Sequence, residues 1–510
     1  MLFAKECEIR INNFNHEPPF MPVSDYRAPS SLAQLEAQVA RELSLLNHPP
    51  AAWVPERHMA NGERITAVVI IGAGMCGLAA AFSLARQGIS DIRIIDRAAP
   101  GRTGPWLDYA RMETLRSPKT LLGPAAGIPS LTFQAWYRAQ FGDLAWEALD
   151  KIPRPQWQEY LLWYRDVLGI EVEHCERVTL IEPEGELLRL HVEGSTSECL
   201  LARKVVLATG REGLGAPYLP DFVKGLDKSR WAHSSEAIDF AALAGRRVAV
   251  IGMGASAMDN AAEALEHGAA EVRLLARRRE MPTINKLMGI GNPGFTCAFP
   301  TLSPLWRWRI MHYSLATQTP APHGSTLRVS RHDNAFFHFD CAIESITELE
   351  HGLLIATHGE RHFEADFLII ATGFSIELEA RPELAALTPM IARWRDRFTP
   401  PAELESVELG AFPWLGDGFQ FTERTPGSAP ALANLHAFNY GATLSLGKVS
   451  GDIPAISVGA AWLAQSIAAD LYREDIDQHW QALLAYAKPE LDGSEWRDAD
   501  KITPGEEPAR

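Results

Sequence analysis

The stretch AVVIIGAGMCGLAAAFSLARQGISDIRIID, at residues 67–96, decides the fold. Its first five residues are apolar, as is typical of a parallel strand buried on both faces. A turn with Gly72, Gly74 and Gly77 follows, then an alanine- and leucine-rich helix, and then a second apolar run that ends on Asp96. This order predicts a dinucleotide-binding unit, with the pyrophosphate at the helix N-terminus and the acid on the ribose.

Each glycine of the turn has its own task in such a unit. Gly72 permits the tight turn, Gly74 lets the backbone approach a pyrophosphate, and Gly77 lets the helix pack close to its strand. The stretch GRTGPW, at 101–106, comes shortly after the second strand. Trp106 would therefore lie where the flavin ring of a bound FAD extends, although a surface loop with one anchoring tryptophan is the alternative.

The same plan recurs in the second half of the chain, at residues 248–276. A strand leads into the turn GMGASA, in which Gly252, Gly254, Ser256 and Ala257 take the positions of the first motif. A helix and a second strand follow. A duplicated nucleotide-binding unit is a stronger signal than either motif alone.

The second unit differs from the first where its second strand ends. Three arginines, Arg277, Arg278 and Arg279, stand where the first unit carries Asp96. An acid suits a ribose diol and would repel a 2′-phosphate, whereas planar guanidinium groups suit phosphate oxygens. This exchange predicts NADPH in preference to NADH, with Arg277 and Arg278 as the deciding residues. Since three adjacent side chains cannot all face one phosphate, one or two of the arginines should matter and the others little. A solvated basic strand end is the alternative.

Both units are expected to end in the same way. Four short runs, at 178–182, 187–192, 199–202 and 205–210, predict a β-meander, and the last run ends in Ala-Thr-Gly. A second meander is expected at 343–365, and the run 367–373 ends in the same Ala-Thr-Gly.

Length and composition limit the function. A chain of 510 residues predicts two or three domains, and 46% hydrophobic with 22% charged residues is typical of a globular protein. The net charge of −16 argues against nucleic acid or an anionic membrane surface as partner. Residues 67–85 have the length of a membrane span, but their glycines argue against one. The charged residues within 1–10 argue against a secretion signal.

The six cysteines lie far apart and form no CxxC pair. Neither a zinc site nor a redox-active disulfide is predicted, and no other metal site is indicated. This pattern favours a reducing compartment, the cytoplasm.

Two segments outside the two motifs are an N-terminal arm and the stretch 281–330. Ser30 and Ser31 are expected to cap a helix with an apolar stripe up to Leu46. This helix lies in the N-terminal arm, in which no catalytic or binding motif is recognised. The segment 281–330 is too long for a plain connector and is expected to be a lid or to shape a substrate site. Within it, Trp306 and Trp308 are expected to pack.

The C-terminal part carries a further candidate region. A loop containing Asn439 leads to an apolar helix at about 455–471. Asp452 is expected to cap that helix, and Pro454 suits its first turn. The helix would direct its positive end at whatever the loop encloses.

Taken together, these features resemble the class B flavoprotein monooxygenases, which include the flavin-containing, the N-hydroxylating and the Baeyer–Villiger enzymes. The match extends over about 67–471. The second motif carries it best, since GMGASAMDNAAE at 252–263 follows the GxGxSG/AxDxAxE pattern of their NADPH site. It departs from the flavin-containing enzymes at Ala255 and Ala257, where Asn and Gly are usual.

A second fingerprint is less regular. The stretch from Phe222 to Ser234 is similar to the FxGxxxH linker of these enzymes, with longer spacings. No Trp-Pro follows His233, which speaks against a Baeyer–Villiger enzyme. A packed or hydrogen-bonded structural role is expected for this histidine.

The resemblance implies FAD on the first repeat and the C-terminal segment, and NADPH on the second repeat. NADPH would reduce the flavin, O₂ would form a peroxyflavin, and one oxygen atom would pass to the N, S or C atom of a small organic substrate. Asn439 and Arg116 would lie near the reacting face. Arg97 and Asp452 would join the glycines, Asp96 and Trp106 as cofactor-binding residues.

Several other readings stay open. Baeyer–Villiger oxidation of a ketone, a non-oxygenating NADPH-linked flavin reductase or oxidase, and a redox-sensing flavoprotein share the double-nucleotide plan. A disulfide reductase would need a cysteine pair beside the flavin, and Cys76 stands alone in the sequence. The sequence also leaves a homo-oligomer open.

The expected fold is α/β, with two Rossmann-like dinucleotide-binding domains, each with a β-meander, and a helical N-terminal arm. The expected boundaries are 1–64 for the arm, 65–213 for the first part of the FAD domain, 214–366 for the NADPH domain with the insertion 281–330, and 367–510 for the second part of the FAD domain with the C-terminal helices.

Overall fold

The computed structural model describes residues 29–195, 198–496, 498 and 500. The expectations for residues 1–28, including the charged N-terminus, lie outside the described residues.

The strands, in chain order, are β1 (Arg57–His58), β2 (Arg64–Ile71), β3 (Ile92–Asp96), β4 (Glu173–His174), β5 (Arg177–Glu184), β6 (Leu187–Glu193), β7 (Glu198–Leu207), β8 (Gly215–Pro217), β9 (Trp231–His233), β10 (Arg247–Ile251), β11 (Glu271–Leu275), β12 (Ala335–His338), β13 (Ile343–Leu349), β14 (Gly352–Thr357), β15 (His362–Ala365), β16 (Phe367–Ile370), β17 (Phe374–Ile376) and β18 (Leu435–His436).

The α-helices are α1 (Leu32–Leu45), α2 (Met75–Ala85), α3 (Phe133–Ala148), α4 (Arg154–Val167), α5 (Ala255–Glu266), α6 (Pro293–Ala298), α7 (Pro304–Thr317), α8 (His323–Ser330), α9 (Trp394–Arg397), α10 (Val407–Ala411), α11 (Thr443–Leu446), α12 (Ile456–Glu474) and α13 (Ile476–Ala485).

The first sheet is built around β2. Its order is β4-β3-β2-β7-β6-β5, with β1 beside β2 and β18 beside β7. One part of the sheet is parallel and consists of β4, β3, β2, β7 and β18. The other part is an antiparallel meander of β7, β6 and β5. Val68, Val69 and Ile70 are fully buried, as expected for a strand covered on both faces.

The second sheet repeats this arrangement. Its order is β12-β11-β10-β16-β9, and all of its neighbouring strands run parallel. β10 therefore takes the place of β2, β11 that of β3, β16 that of β7 and β9 that of β18. The duplication predicted from the sequence is confirmed, and the fold is α/β with two dinucleotide-binding units.

One predicted break in the first unit is wrong. The runs 199–202 and 205–210 belong mainly to one continuous strand, β7, which serves both the meander and the parallel sheet. Arg203 and Lys204, between the two runs, are buried in this strand. They are tolerated there because each forms an ion pair with Glu474, at 2.8 and 2.6 Å respectively. In the second unit the meander is a separate sheet, β13-β14-β15.

The insertion 281–330 joins the two units. Phe299, Trp308 and Met311 pack into the large apolar core that also contains β2 and α2. At its other end, α8 packs against α5, where Arg328 forms an ion pair with Glu266 at 2.5 Å. Trp308 thus packs as expected, whereas Trp306 is 51% exposed.

The described part of the N-terminal arm contains α1. Its predicted cap is confirmed at Ser31, whose side chain accepts a hydrogen bond from the Gln34 backbone N–H. Leu35 and Val39 bury the apolar stripe. None of the helices within the described residues is long and apolar enough to cross a membrane.

Candidate functional site

The first glycine turn joins β2 to α2. Gly72 has φ +102°, and a Cβ placed there would lie 2.6 Å from the Ala208 carbonyl oxygen. A Cβ on Gly77 would overlap the Gly72 carbonyl oxygen. A Cβ on Gly74, in contrast, would meet nothing closer than the Cα atom of Gly104, at 3.7 Å. Contacts with the described residues therefore require glycine at positions 72 and 77. Gly74 instead borders space that a pyrophosphate could approach.

Asp96 ends β3 beside this turn, as the sequence predicts. The residue is buried, and its carboxylate accepts hydrogen bonds from the backbone N–H groups of Ala73 (2.6 Å) and Ala98 (2.7 Å). The Asp96 carboxylate thus lies beside the glycine turn and also stabilises the backbone conformation of the turn. Arg97 is exposed and pairs with Glu212 at 3.2 Å.

The loop that carries Trp106 lies over the turn. Gly104 is the nearest neighbour of Gly74, and the Trp106 ring lies beside Gly104. Trp106 is half-buried and packs edge-on against Trp157, with 6.2 Å between ring centroids. The structure therefore brings Trp106 to the first turn and also gives it a packing partner.

The loop that begins at Asn439 closes the same edge of the sheet. Asn439 is fully buried, and its amide NH₂ donates to the Leu207 carbonyl at 3.0 Å and to the Thr209 hydroxyl at 3.2 Å. Its amide oxygen accepts from the Gly441 backbone N–H, and its carbonyl accepts from the Ser450 hydroxyl. These bonds tie the loop to the first Ala-Thr-Gly turn.

The helix that follows begins differently from the prediction. The Asp452 side chain makes no capping hydrogen bond, so this predicted cap is wrong. The carboxylate instead lies 3.6 Å from the Lys448 ammonium group, on the exposed side of the loop. A 3₁₀ turn at Ile453–Ala455 leads into α12, which starts at Ile456. Two residues before Asp452, the same loop contacts the start of α2, where the Cys76 thiol donates to the Ser450 carbonyl at 3.4 Å.

The second glycine turn has the same geometry as the first. Gly252 has φ +129°, and a Cβ on it would lie 2.6 Å from the Ala371 carbonyl oxygen. A Cβ on Gly254 would meet nothing within 4 Å. Ala257, at the close-packing position, is fully buried, and the exposed Ser256 donates a hydrogen bond to the Ser234 hydroxyl at 3.1 Å. Gly254 therefore also borders open space at a helix N-terminus.

The three arginines after β11 differ in their contacts. Arg278 donates to the Ala316 carbonyl at 2.9 Å, at the end of α7. Arg277 and Arg279 are exposed, and neither forms a hydrogen bond or ion pair with another described residue. Ile95 and Leu275 occupy equivalent positions in the two sheets, so Asp96 corresponds to Ala276. Arg277 is thus available one residue beyond that position.

Arg116 connects the first unit to the insertion. Its guanidinium group donates to the Pro320 carbonyl at 2.7 Å. On the other side, Arg307 of α7 donates to the Ser445 carbonyl at 2.8 Å. The insertion is therefore held at two points on the first unit, and Arg116 lies at one of them.

Two further motif residues are buried. His233 is fully buried and its ring nitrogens lie 2.7 Å from the Ser235 hydroxyl and 3.0 Å from the Gly373 carbonyl. Burial lowers its pKa, so the ring is neutral and has the structural role that was expected. Asp259 of α5 is also buried, and burial raises its pKa to about 6.

Sequence reasoning missed two arginines of this region. Arg111 donates to the carbonyl groups of Ser234 and Glu236, which links the loop over the first turn to the second unit. Arg211 follows the first Ala-Thr-Gly turn, and its guanidinium carbon lies 4.0 Å from the centre of the Tyr440 ring. No local pattern identifies either residue, because the partners are more than 120 positions away.

A surface hollow of about 360 Å³ lies elsewhere. Lys228, Trp231, Asp239, Arg246 and Phe367 contribute to its lining. These residues belong to the amino ends of β9 and β16 and to their approaches, whereas nucleotides bind at the carboxyl ends of parallel strands. The hollow is therefore separate from both glycine turns.

Comparison with known proteins agrees with this geometry. Residues 69–288 match the family model described as pyridine nucleotide-disulphide oxidoreductase. Over 467 residues the chain is 39% identical to an FAD-dependent urate hydroxylase from Xanthomonas campestris pv. campestris, and the match covers 91% of this chain and 98% of that protein.

Solved structures show the same fold. An ornithine hydroxylase from Pseudomonas aeruginosa is similar with a TM-score of 0.62 and 16% identity, covering 80% of this chain and 100% of that chain. An ornithine N-hydroxylase from Kutzneria sp. 744, solved with reduced FAD, NADP⁺ and L-ornithine, also has a TM-score of 0.62 and 16% identity, covering 80% and 99%.

Proposed function

The chain belongs to the family of that urate hydroxylase, whose members are FAD- and NADPH-dependent monooxygenases, and on this premise we propose that it hydroxylates urate or a closely related oxidised purine. The extent of the identity carries the proposal. A match of 39% over 98% of the relative's length includes both nucleotide units, the insertion and the C-terminal loop, and is not confined to the glycine motifs. The substrate site is therefore part of what the two chains share.

We further propose that FAD binds the unit formed by 65–213 and 367–510, and that NADPH binds 214–366, with 1–64 as an added arm. The open space beside Gly74 and beside Gly254 supports one dinucleotide at each turn. Both turns lie at the carboxyl edge of a parallel sheet, where such ligands bind.

The chain's own residues hold and shield these groups. The bound flavin supplies the electron-transfer and oxygen chemistry, and the protein supplies orientation and a dry site. Asn439 fixes the loop over the first turn, and we assign it a positioning role because its amide is buried and fully bonded. Arg116 and Arg307 hold the insertion on the first unit. We propose that the insertion thereby limits the access of water to the flavin.

The test is a labelled-oxygen experiment. The purified holoenzyme is given urate, NADPH and ¹⁸O₂, and the product is examined by mass spectrometry. We expect one labelled oxygen atom in the product for each NADPH consumed. Parallel reactions with an amine, a sulfide and a ketone test the other substrate classes. Consumption of NADPH with urate while all O₂ is recovered as hydrogen peroxide would show an oxidase instead.

We also propose that the protein works in the cytoplasm. Among the described residues, Cys76, Cys175, Cys199, Cys297 and Cys341 are all free. Free thiols are typical of a reducing compartment.

A further inference from the structure

Arg211 directly follows the first Ala-Thr-Gly turn and lies beside the loop that begins at Asn439. It lies three residues after Ala208, whose carbonyl oxygen faces Gly72. It is exposed, and it makes no hydrogen bond or ion pair within the part of the chain that the structure describes. Its N–H donors therefore have no protein acceptor among the described residues.

The Tyr440 ring holds this guanidinium group in place. The 4.0 Å stacking distance is that of a cation–π contact. The ring itself is fixed, because the Tyr440 backbone N–H donates to the Gly210 carbonyl at 3.4 Å and the ring packs on Phe412 at 5.8 Å. Burial raises the pKa of the Tyr440 hydroxyl, so that it stays protonated at neutral pH.

One carboxylate lies near enough to Arg211 for the two charges to interact. Glu408 lies on α10, four residues before Phe412, and is not bonded to either arginine. The charges of Arg211 and Arg277 both act on Glu408, opposing the rise in its pKa that burial causes. One arginine from each nucleotide unit thus lies within electrostatic reach of the same acid, and neither forms an ion pair with it.

We propose that Arg211 is a specificity-determining residue that binds the anionic edge of a planar heterocyclic substrate. Urate is such an anion, and a guanidinium fork can donate two parallel hydrogen bonds to adjacent acceptors on one edge of the ring. This inference rests on the proposed function and adds to it a residue that recognises the substrate.

The experiment compares Arg211→Met and Arg211→Lys with the wild type, all loaded with FAD. Urate binding is measured by the change in the flavin spectrum of the oxidised enzyme, and KM and kcat are measured separately. A charge-assisted hydrogen bond corresponds to about a ten- to hundredfold change in binding. We expect Arg211→Met to raise the Kd and the KM for urate by about that factor, and Arg211→Lys to recover part of the loss.

A matched control is Arg309→Met, because Arg309 also stacks on an aromatic ring, Trp306, at 5.0 Å, but on the outside of the insertion. It should bind urate as the wild type does. FAD content and flavin reduction by NADPH without urate should stay within about twofold in all variants.

Two results would overturn the inference while the proposed function stands: an unchanged KM for urate in Arg211→Met, or a loss of FAD or NADPH binding in place of urate binding. A wild type that neither binds nor hydroxylates urate would remove the proposed function and the inference with it.

Discussion

Gly74 and Gly77 share one turn but are glycine for different reasons. Gly74 has φ −71°, which any residue adopts, and its neighbourhood is open. An added methyl group would occupy the space that the pyrophosphate needs. We expect Gly74→Ala to weaken FAD binding at least about tenfold, which is 1.4 kcal/mol, while the melting temperature of the apoprotein changes by only a few degrees. Titration of the apoprotein with FAD and a thermal melt measure the two effects.

Gly77→Ala is the matched control for that experiment. Its methyl group would overlap the Gly72 carbonyl oxygen, which is backbone and cannot move aside. We expect a loss of about 1–3 kcal/mol or more in the free energy of unfolding, as for an overpacked core. Wild-type FAD affinity in Gly74→Ala would contradict the assignment of the first turn.

The arginines after β11 have different contacts, so we expect different roles for them. Arg277 is exposed and unbonded among the described residues, whereas Arg278 is bound to the Ala316 carbonyl. We expect Arg277→Ala to raise the KM for NADPH about ten- to hundredfold and to leave the KM for NADH nearly unchanged. Arg278→Ala should affect both coenzymes alike. Steady-state kinetics with each coenzyme decide this, and an equal loss with both coenzymes in Arg277→Ala would mean a structural role.

At the scale of elements, α5 carries a buried carboxyl group, Asp259, that makes the free energy of unfolding depend on pH. Burial raises the pKa of Asp259 from 3.8 to about 6, against the opposing effects of Ser325 and Arg328. One carboxylate oxygen has no hydrogen-bond partner among the described residues. The folded protein therefore holds this proton more tightly than the unfolded chain, so stability falls as the pH rises from about 4 to about 6.

Asp259→Asn should remove this dependence. A difference of about two pKa units corresponds to roughly 3 kcal/mol, so we expect the variant to gain stability relative to the wild type by up to that amount between pH 4 and pH 7. Urea unfolding at several pH values measures the difference. If the difference in unfolding free energy between the variant and the wild type were the same at every pH, Asp259 would titrate normally.

Elements with a strong local pattern could be predicted, and those that depend on distant partners could not. β2, α2 and α5 follow from buried runs and glycine turns alone. β7 looked like two strands because the partners of its buried cations lie in α12, more than 260 positions away. Trp306 and Trp308 have equivalent local surroundings in the sequence, and only the packing of α7 decides which is buried.

The same limit applies to the site. The glycines, Asp96 and the arginine cluster could be located because their spacing is fixed by one strand–turn–helix unit. The Asp452 cap failed because the side chain has a nearby cation, Lys448, as an alternative partner. The stacking of Arg211 on Tyr440 joins positions that are 229 residues apart, so no window of sequence contains it.

At the scale of the whole molecule, a buried ion network fastens the C-terminal helices to the first sheet. Arg203 and Asp475 are 2.9 Å apart, and both side chains are almost completely buried. Arg57, from the start of the sheet, pairs with the same carboxylate. Removing one member of such a network leaves a buried charge without its full set of partners.

We expect Arg203→Ala to lower the free energy of unfolding by about 3–5 kcal/mol. Arg473→Ala is the control, because Arg473 pairs with Asp470 on the surface and is 70% exposed, and should cost at most about 1 kcal/mol. Denaturant unfolding measures both. A cost below about 1 kcal/mol for Arg203→Ala would show that the network does not fasten the helices.

β18 has only two residues, yet it decides when the first sheet can be finished. It joins β7 from a position 228 residues further along the chain, and the whole second sheet is encoded between them. A ribosome that adds about 5–20 residues per second needs roughly 10–45 s to cross that interval. During this time the second sheet emerges complete while the first sheet still lacks its last strand. If the first unit binds FAD, as proposed, we expect flavin capture only in the final moments of synthesis. Measuring flavin on nascent chains arrested before and after residue 435 reads this order directly.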